Sequence, residues 1–288
     1  MVTLFNPLDY SAEVERLRKL GWLPPEISTV PAMDELNDGR SEFVSFPKAA
    51  YETDLTNQDL ESFWTQVRAE GIFKMLSNEK IVSFWEFGSG DGSVSIPLTK
   101  MGIKIFCVEP IKAGADFTSA YGIKTFCSTL ENLELPNSCL NAIGIFDVLE
   151  HIRDPINFLS ILNKVLEKKG KLIITVPMYQ FLYSDFDISI GHFRRYSEEL
   201  LKKQLDATGF VIRKKKYLFS YLLLPAFLTR RIPYLLGKRR NYATFHRGMN
   251  NQLFRAKFII FIIKLFTKLE EILHIPFGLT LLVLAEKE

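Results

Sequence analysis

Short apolar runs alternate along the chain with segments whose apolar positions recur every three to four residues. The runs predict strands, and five of them lie between residues 80 and 178: KIVSFWEF, IKIFCVEP, GIKTFCS, LNAIGIFDVLE and KLIITVPM. The segments GSVSIPLTKMG and PINFLSILNKVLEKKG predict helices between them. Strands that alternate with helices indicate βαβ units on a parallel sheet. Near-continuous apolar strands indicate that helices cover both faces of that sheet.

Further elements are predicted on either side of this region. One helix is expected over Asn57–Leu76 and another over SEELLKKQLDATG, where Ser197 is a favourable N-cap and Gly209 a favourable end. FVIRKKKYLF and GLTLLVLAEK predict a sixth and a seventh strand, separated by about sixty residues. We therefore expect a main domain over residues 57–288 with an insertion at 218–277, preceded by an N-terminal cap over the site at 1–56.

The predicted insertion combines apolar segments with positive charge. Tyr217–Thr229 is an uncharged run of 13 residues, too short to span a bilayer. Gln252–Leu273 is predicted to be a helix with one broad apolar face and a side that carries Lys257, Lys264, Lys268 and Glu271. Residues 207–269 contain 14 Lys and Arg and no Asp or Glu, although the net charge of the whole chain is only +3. Such segregation predicts an anionic partner.

Two interpretations of the insertion stay open. A basic amphipathic helix beside an apolar run is typical of a membrane-surface element, which would place the protein on anionic lipid. The alternative is that these apolar faces pack against the sheet or against a second copy in a homodimer. Nucleic acid is disfavoured as a partner because the sequence contains no recognised binding module.

Composition bounds the class of protein. The chain has 288 residues, enough for one large domain, and 47% of them are apolar. Its three cysteines are odd in number and lack CxxC spacing, which favours buried free thiols over disulfides or a zinc site. The first residues lack a basic region followed by an apolar stretch, so no signal peptide is predicted. We expect a cytoplasmic protein, with peripheral attachment to the inner membrane face as the variant that the insertion suggests.

The segment WEFGSGDGSVSI places three glycines directly after the first predicted strand. Gly88, Gly90 and Gly92 occupy the turn into the following helix, where ligands bind in doubly wound sheets. Glycine lets the backbone take positive φ and approach a ligand closely. The dinucleotide pattern G-x-G-x-x-G fits less well, because the third glycine comes one residue early and Ser93 takes its place.

The acid-led pattern Glu86-Phe-Gly88-Ser89-Gly90-Asp-Gly92 resembles motif I of class I S-adenosylmethionine (SAM) methyltransferases. The resemblance implies a Rossmann-like, seven-stranded sheet with helices on both faces. It also implies SAM as the cofactor, S-adenosylhomocysteine as its product, and no metal. Glu109 ends the next strand, 23 residues after Glu86, and is the carboxylate expected to bind the ribose hydroxyls.

The resemblance continues through STLENLELPNSCLNAIGIFDVLEHIRDP, which is similar to the stretch that holds the adenine and closes over the sulfonium. It implies an adenine contact at Thr129, where the family often has Asp, or alternatively at the Leu130 backbone or Glu131. The methionine end of SAM is expected to meet three residues after the fourth strand: Asp147, Val148 and Leu149. His151 follows them, either near the reacting methyl group or as a helix-start histidine bonded to the backbone.

The segment VPMYQFLYSDFDISIGHFRRYSEELL, together with ESFWTQVR upstream, resembles a bacterial subgroup related to the ubiquinone-biosynthesis type. Its long connection after the fifth strand is a candidate functional loop. His192 is the preferred general base because imidazole titrates near neutrality, with Tyr196 and His151 as the next candidates. Arg194 and Arg195, with Asp187, are candidates for binding an anionic acceptor. Alternatively, the Arg-Arg-Tyr sequence pins this loop to the domain.

Together these features predict a SAM-dependent methyltransferase. The acceptor is expected to be anionic, lipid-linked or membrane-proximal, such as a glycan or lipid intermediate, and to be methylated on oxygen. One alternative is a soluble small molecule, such as a quinone-like phenol or a carboxylate. The other is a catalytically inactive SAM-fold protein that serves as a binding or scaffold subunit.

Overall fold

The computed structural model describes residues 10–24, 62–238 and 257–288. Seven strands form one sheet in the order β3-β2-β1-β4-β5-β7-β6. Strand β7 is antiparallel to both of its neighbours, whereas the other paired strands are parallel. The strands are β1 Phe84–Phe87, β2 Ile105–Val108, β3 Lys124–Phe126, β4 Leu140–Phe146, β5 Leu166–Pro177, β6 Phe210–Leu218 and β7 Thr280–Lys287. The predicted seven-stranded sheet is confirmed.

Helices flank both faces of this sheet, as predicted. In chain order, the helices outside the insertion are α1 Tyr10–Lys19, α2 Phe63–Leu76, α3 Ser95–Lys100, α4 Lys112–Ala120, α5 Pro155–Val165, α6 Asp185–Ser189 and α7 Glu198–Ala207. Ser197 caps α7 as expected, since its hydroxyl accepts a hydrogen bond from the Leu200 N–H at 3.1 Å. Ser62 caps α2 in the same way, through the Thr65 N–H at 3.2 Å.

The apolar side chains of the strands divide between two cores, one on each face. Phe84 packs with Ile72 of α2 on one face, whereas its neighbour Trp85 packs with Phe106 and Leu159 on the other. Successive strand residues point to opposite faces, and all four residues of β1 are buried. This is the physical reason that the predicted strands are near-continuously apolar.

Helix α1 covers part of the second face, where the chain from β3 to β4 forms turns rather than a helix. The Tyr10 ring meets Phe106 edge-on at 4.9 Å, and the Trp22 ring meets Phe126 at 5.6 Å. Trp22 Nε1 also donates to the Leu133 carbonyl at 2.8 Å. Residues 10–24 therefore supply packing to the sheet, and the rest of the predicted cap at 1–56 lies outside the described residues.

One predicted helix is too long. PINFLSILNKVLEKKG was expected to be helical throughout, but α5 ends at Val165 and the chain continues as β5 from Leu166. Leu166 is fully buried and pairs with Leu140 of β4, so its tertiary partner overrides the local helical pattern. Lys169 takes φ 62° where the strand is irregular.

The insertion between β6 and β7 is helical where it is described. A continuous run comprises α8 Leu223–Ala226, a π-helical turn Phe227–Arg231 and α9 Ile232–Leu235, and α10 Lys257–Leu273 follows later. The first residues predicted for the last helix, from Gln252, lie outside the described residues. Within the part of the chain that is described, no helix is long and apolar enough to cross a membrane.

The insertion is fastened to the main domain at its first residues. Phe219 takes the left-handed conformation (φ 63°) and its ring stacks on Trp64 at 3.9 Å. The buried Glu270 carboxylate of α10 accepts hydrogen bonds from the Phe219 N–H at 3.2 Å and the Ser220 N–H at 2.6 Å. This carboxylate therefore holds α10 against the end of β6.

Candidate functional site

The glycine loop lies between β1 and α3, at the carboxyl end of the parallel strands. All three glycines have positive φ: 75° at Gly88, 56° at Gly90 and 69° at Gly92. A Cβ atom at Gly88 would lie 2.8 Å from a methyl carbon of Val148, and one at Gly92 would lie 2.7 Å from a methyl carbon of Ile96. Backbone conformation and packing thus both require glycine in this turn.

Glu86 is the acidic residue of β1, two positions before the first glycine of this loop, and its side chain is buried. Burial raises the pKa of its carboxyl to about 8, although the nearby Arg68 guanidinium acts in the opposite direction. Among the described residues, the Oε2 atom has no hydrogen-bond partner. A buried carboxyl with an unused acceptor is a suitable partner for a ligand ammonium or hydroxyl group.

Glu109 meets the glycine loop from the end of β2. One carboxylate oxygen accepts from the Gly90 N–H at 2.7 Å and the other from the Ile111 N–H at 2.9 Å. Burial raises the pKa of this carboxyl to about 7. Each carboxylate oxygen can accept a second bond, so the two oxygens retain capacity for the predicted ribose hydroxyls.

Thr129 and Leu130 form a turn after β3. The Thr129 hydroxyl accepts from the Asn132 N–H at 3.2 Å, and the Thr129 carbonyl accepts from the Leu133 N–H at 3.2 Å. The Leu130 side chain is buried in the apolar core. Both groups of Thr129 thus stabilise the turn itself, and the adenine contacts assigned to these two residues stay a prediction.

Asp147 follows β4 with φ 55°, and its carboxylate is bound by Thr175 on one oxygen and by Arg68 on the other. Its backbone N–H donates to the Thr175 carbonyl at 3.0 Å, and the Thr175 hydroxyl donates to its Oδ1 at 2.9 Å. The other carboxylate oxygen accepts from Arg68 Nη1. Val148, next along the chain, contacts the glycine loop as described above, and Leu149 is fully buried.

Arg68 is a residue of this site that the sequence prediction missed. Its Nη2 donates to Ser93 at 3.0 Å while Nη1 bonds Asp147, so one guanidinium joins the glycine loop to the loop after β4. The sequence signal was available, because Arg68 falls on the buried face of α2 with Ala69 and Ile72. A charged residue on an apolar helix face needs a polar partner.

The long connection after β5 is organised around a buried ion pair. Asp187 is fully buried and accepts from Arg195 Nε at 2.7 Å, from His192 Nδ1 at 2.9 Å and from the Ser184 N–H at 3.0 Å. These hydrogen bonds and charges lower the pKa of the Asp187 carboxyl, although burial alone would raise it. Arg195 also donates to the Met178 carbonyl at 3.3 Å. Their predicted role in acceptor binding stays a prediction, since here Asp187 and Arg195 bind each other and fix the loop.

Tyr196 and Arg194 also contact the backbone of the domain. The Tyr196 hydroxyl is buried and donates to the Leu149 carbonyl at 3.3 Å, and burial raises its pKa. Arg194 Nη2 donates to the Arg153 carbonyl at 3.0 Å, close to the Phe193 ring. These contacts are the pinning arrangement that the sequence left open, and in this structure the Tyr196 hydroxyl does not reach the surface.

The two predicted histidines come together beside Glu150. The rings of His151 and His192 meet edge-on with their centroids 4.7 Å apart, and His192 Nε2 lies 3.7 Å from Glu150 Oε1. Burial lowers the pKa of His151 to about 3 and raises that of Glu150 well above its usual range. Glu150 was not predicted from the sequence. The cluster directly follows Asp147 and Val148, so it adjoins the predicted methionine end of the donor site.

Comparison with known proteins bears on this arrangement. A sequence profile described as a methyltransferase domain matches residues 63–215. No curated protein matches the chain significantly.

Solved structures share the fold at low sequence identity. A SAM-dependent methyltransferase from Thermotoga maritima is 17% identical, with a TM-score of 0.52 over 78% of this chain and 90% of the other. Geranyl diphosphate C-methyltransferase from Streptomyces coelicolor, solved with Mg²⁺, geranyl diphosphate and S-adenosylhomocysteine, is 11% identical, with a TM-score of 0.53 over 90% and 99% of the two chains.

Proposed function

This chain belongs to the methyltransferase domain family, and we propose that it transfers the methyl group of SAM to a hydroxyl group of an anionic, lipid-linked acceptor at a membrane surface. The sequence GHFRRY at 191–196 is similar to that of bacterial methyltransferases related to the ubiquinone-biosynthesis type, which supports a place beside that subgroup. The loop that carries this sequence brings His192 beside His151 and Glu150, next to the predicted methionine end of SAM.

The donor half of the proposal is supported by how well the residues present fit SAM. Glu86 and the glycine loop would hold its methionine part, and Glu109 its ribose. Two observations support the fit: Glu86 Oε2 has no hydrogen-bond partner within the part of the chain that the structure describes, and all three glycines have positive φ. When bound, SAM supplies a methyl group activated by a sulfonium. The protein mainly has to align the acceptor, which in well-oriented systems contributes about 7–11 kcal/mol.

The acceptor hydroxyl is proposed to be activated at His192. Asp187 bonds Nδ1 of this ring and so fixes its orientation, which leaves Nε2 as the nitrogen that faces Glu150 and His151. A carboxylate that holds one imidazole nitrogen also fixes the tautomer and the orientation of the ring.

A surface next to this loop carries the membrane part of the proposal. On the helical run that opens the insertion, four leucines are strongly exposed: Leu224 (64%), Leu228 (50%), Leu235 (61%) and Leu236 (67%). The same run is fastened to the long connection after β5, residues 178–197, which we call the acceptor loop. Arg231 donates to the Tyr183 carbonyl at 2.8 Å, and Arg230 lies 4.0 Å over the Phe186 ring. An apolar surface joined to the acceptor loop would bring a lipid-linked acceptor to the site. This juxtaposition is the single observation on which the acceptor class rests.

Fewer basic residues of this region are free to meet anionic lipid than the sequence suggests. The four basic residues of β6 each form an ion pair with a glutamate elsewhere: Arg213 with Glu286, Lys214 with Glu79, Lys215 with Glu198, and Lys216 with Glu271. Charge available to anionic lipid therefore comes from the insertion itself. Lys238 is exposed at the end of the described run, and Arg239 and Arg240 follow it outside the described residues.

Vesicle co-sedimentation tests the acceptor class. We expect the purified protein to sediment with vesicles of acidic phospholipid and much less with neutral ones. Salt should weaken the attachment, because screening at about 0.15 M limits exposed-charge attraction to roughly 8 Å. Changing Lys238, Arg239 and Arg240 to Glu should release the protein without altering SAM binding.

The matched control changes Lys164, Lys168 and Lys169 to Glu. These lysines are exposed near the start of β5, at the opposite end of that strand from the acceptor loop. The control alters net charge by the same amount and should leave sedimentation unchanged. If the wild-type protein sedimented with neither kind of vesicle, that result would instead favour a soluble acceptor.

A further inference from the structure

Glu150, His151 and His192 form a compact group of potential metal ligands. One ligand atom from each lies within 4.8 Å of the others, and His192 Nε2 lies 3.7 Å from Glu150 Oε1. Bonds of about 2.0–2.2 Å to one ion place two tetrahedral ligand atoms roughly 3.4 Å apart. To hold one ion, the group would therefore have to contract from separations of up to 4.8 Å toward this spacing.

The environment of Glu150 is a second, independent observation. Its side chain is fully buried, and among the described residues neither carboxyl oxygen has a hydrogen-bond partner. Buried polar groups in native proteins are normally hydrogen-bonded, and buried charges are normally paired or bound to a metal. Glu150 lies between Leu149 and His151 in the turn after β4.

Asp187 supplies the outer support that a metal-binding histidine usually has. It binds His192 Nδ1 at 2.9 Å and is itself held by Arg195 Nε at 2.7 Å. A metal-bound imidazole commonly donates its other N–H to a carboxylate, which fixes the ring with its free nitrogen toward the ion. The Phe193 N–H also donates to the Glu150 carbonyl at 2.9 Å. This backbone hydrogen bond joins the segment of Glu150 and His151 to the segment of His192.

We propose that Glu150, His151 and His192 bind one divalent transition-metal ion of the zinc type. Two imidazoles and one carboxylate are a donor set that leaves a fourth position open. Imidazole suits zinc and its transition-metal neighbours, whereas Mg²⁺ and Ca²⁺ prefer oxygen ligands. The expected selectivity is therefore for Zn²⁺ over Mg²⁺.

The ion would change how the acceptor is activated. Metal on Nε2 uses the lone pair that would otherwise take the acceptor's proton, so His192 becomes a ligand. When bound by these residues, the ion would supply Lewis-acid activation of the acceptor hydroxyl, and the hydroxyl proton would pass to water. This catalytic role rests on the proposed function, but the binding of metal itself does not.

Metal analysis of the full-length protein tests the proposal. Protein stripped with a chelator and dialysed against Zn²⁺ should retain about one equivalent per chain, and dialysis against Mg²⁺ should leave none. Replacing Zn²⁺ with Co²⁺ should give the visible absorption of a nitrogen- and oxygen-bound ion. A thiolate charge-transfer band would place the ion on a cysteine and overturn the assignment.

Variants identify the ligands. Glu150→Gln keeps the size of the side chain, and we expect it and His192→Gln to lose the bound equivalent. Asp187→Asn should weaken binding by about 10- to 100-fold, the range for a group that supports a ligand. His274→Ala removes an exposed histidine and should bind like the wild type. Retention of one equivalent by folded Glu150→Gln and His192→Gln, or no binding by folded wild type, would overturn the proposal.

SAM binding measured on the same metal-free samples separates the two claims. Metal-free protein that binds SAM but takes up no Zn²⁺ disproves the metal site and leaves the proposed function standing. Protein that takes up Zn²⁺ through these three residues but does not bind SAM disproves the proposed function instead.

Discussion

Gly90→Leu is expected to abolish SAM binding while the protein remains folded. Gly90 has φ 56° and its N–H bonds Glu109, so a side chain here would project from the turn that the donor must approach. A non-glycine residue in this conformation also costs roughly 1–2 kcal/mol of stability. Titration calorimetry should detect no SAM binding, and circular dichroism should retain the wild-type spectrum.

Gly122→Leu is the matched control for backbone strain. Gly122 also has positive φ (77°), and a Cβ atom there would meet nothing within 4 Å. We expect a similar loss of unfolding free energy and unchanged SAM affinity. Wild-type SAM affinity in Gly90→Leu would contradict the assignment of the glycine loop to the donor.

His192→Ala should lower kcat by about 10²- to 10⁴-fold, the range for loss of an acid–base group. The variant removes the ring that activates the acceptor hydroxyl, either as the base or as a ligand of the proposed ion, but it leaves the glycine loop, Glu86 and Glu109 in place. SAM affinity should therefore stay close to that of the wild type. The measurement is methyl transfer from labelled SAM to the acceptor, with SAM binding followed in parallel.

Two further variants show whether the orientation of His192 matters. Asp187→Asn keeps the size of the buried side chain but weakens its bonds to His192 and Arg195, so kcat should fall by less than in His192→Ala. His274→Ala, on the exposed end of the insertion, should retain wild-type turnover. Wild-type turnover in His192→Ala would make this histidine structural.

The sheet could be predicted from sequence because its strands are buried on both faces. Continuous apolar runs such as that around Phe84 and Trp85 have this cause. The end of α5 could not be predicted, since Leu166 continues the helical apolar pattern and only its pairing with Leu140 makes it a strand residue. The packing of Trp22 on the sheet also depends on partners more than 60 positions away along the chain.

The candidate site was predictable where its residues share one turn and not where distant segments meet. The glycine loop and Glu109 follow from a local pattern. The bond between Arg68 and Asp147 joins residues 79 positions apart, and nothing in either segment specifies the other. Glu150 was missed for a related reason, because its unsatisfied carboxyl has significance only once His192 lies beside it.

The sequence shows where basic residues are concentrated, but it does not show which of them are already in ion pairs. The acid-free stretch at 207–269 contains 14 Lys and Arg. However, an antiparallel strand pair places Arg213 beside Glu286, and sheet packing places Lys214 beside Glu79. Exposed ion pairs of this kind contribute little to stability, about 0–1 kcal/mol each. They nevertheless neutralise residues that the sequence alone presents as free charge.

Calorimetric titration of the purified protein with SAM and with S-adenosylhomocysteine tests the central claim most directly. We predict one binding site per chain for each ligand, and loss of both in Gly90→Leu with retention in Gly122→Leu. Absence of heat with either ligand, from wild-type protein shown by circular dichroism to be folded, would contradict the account.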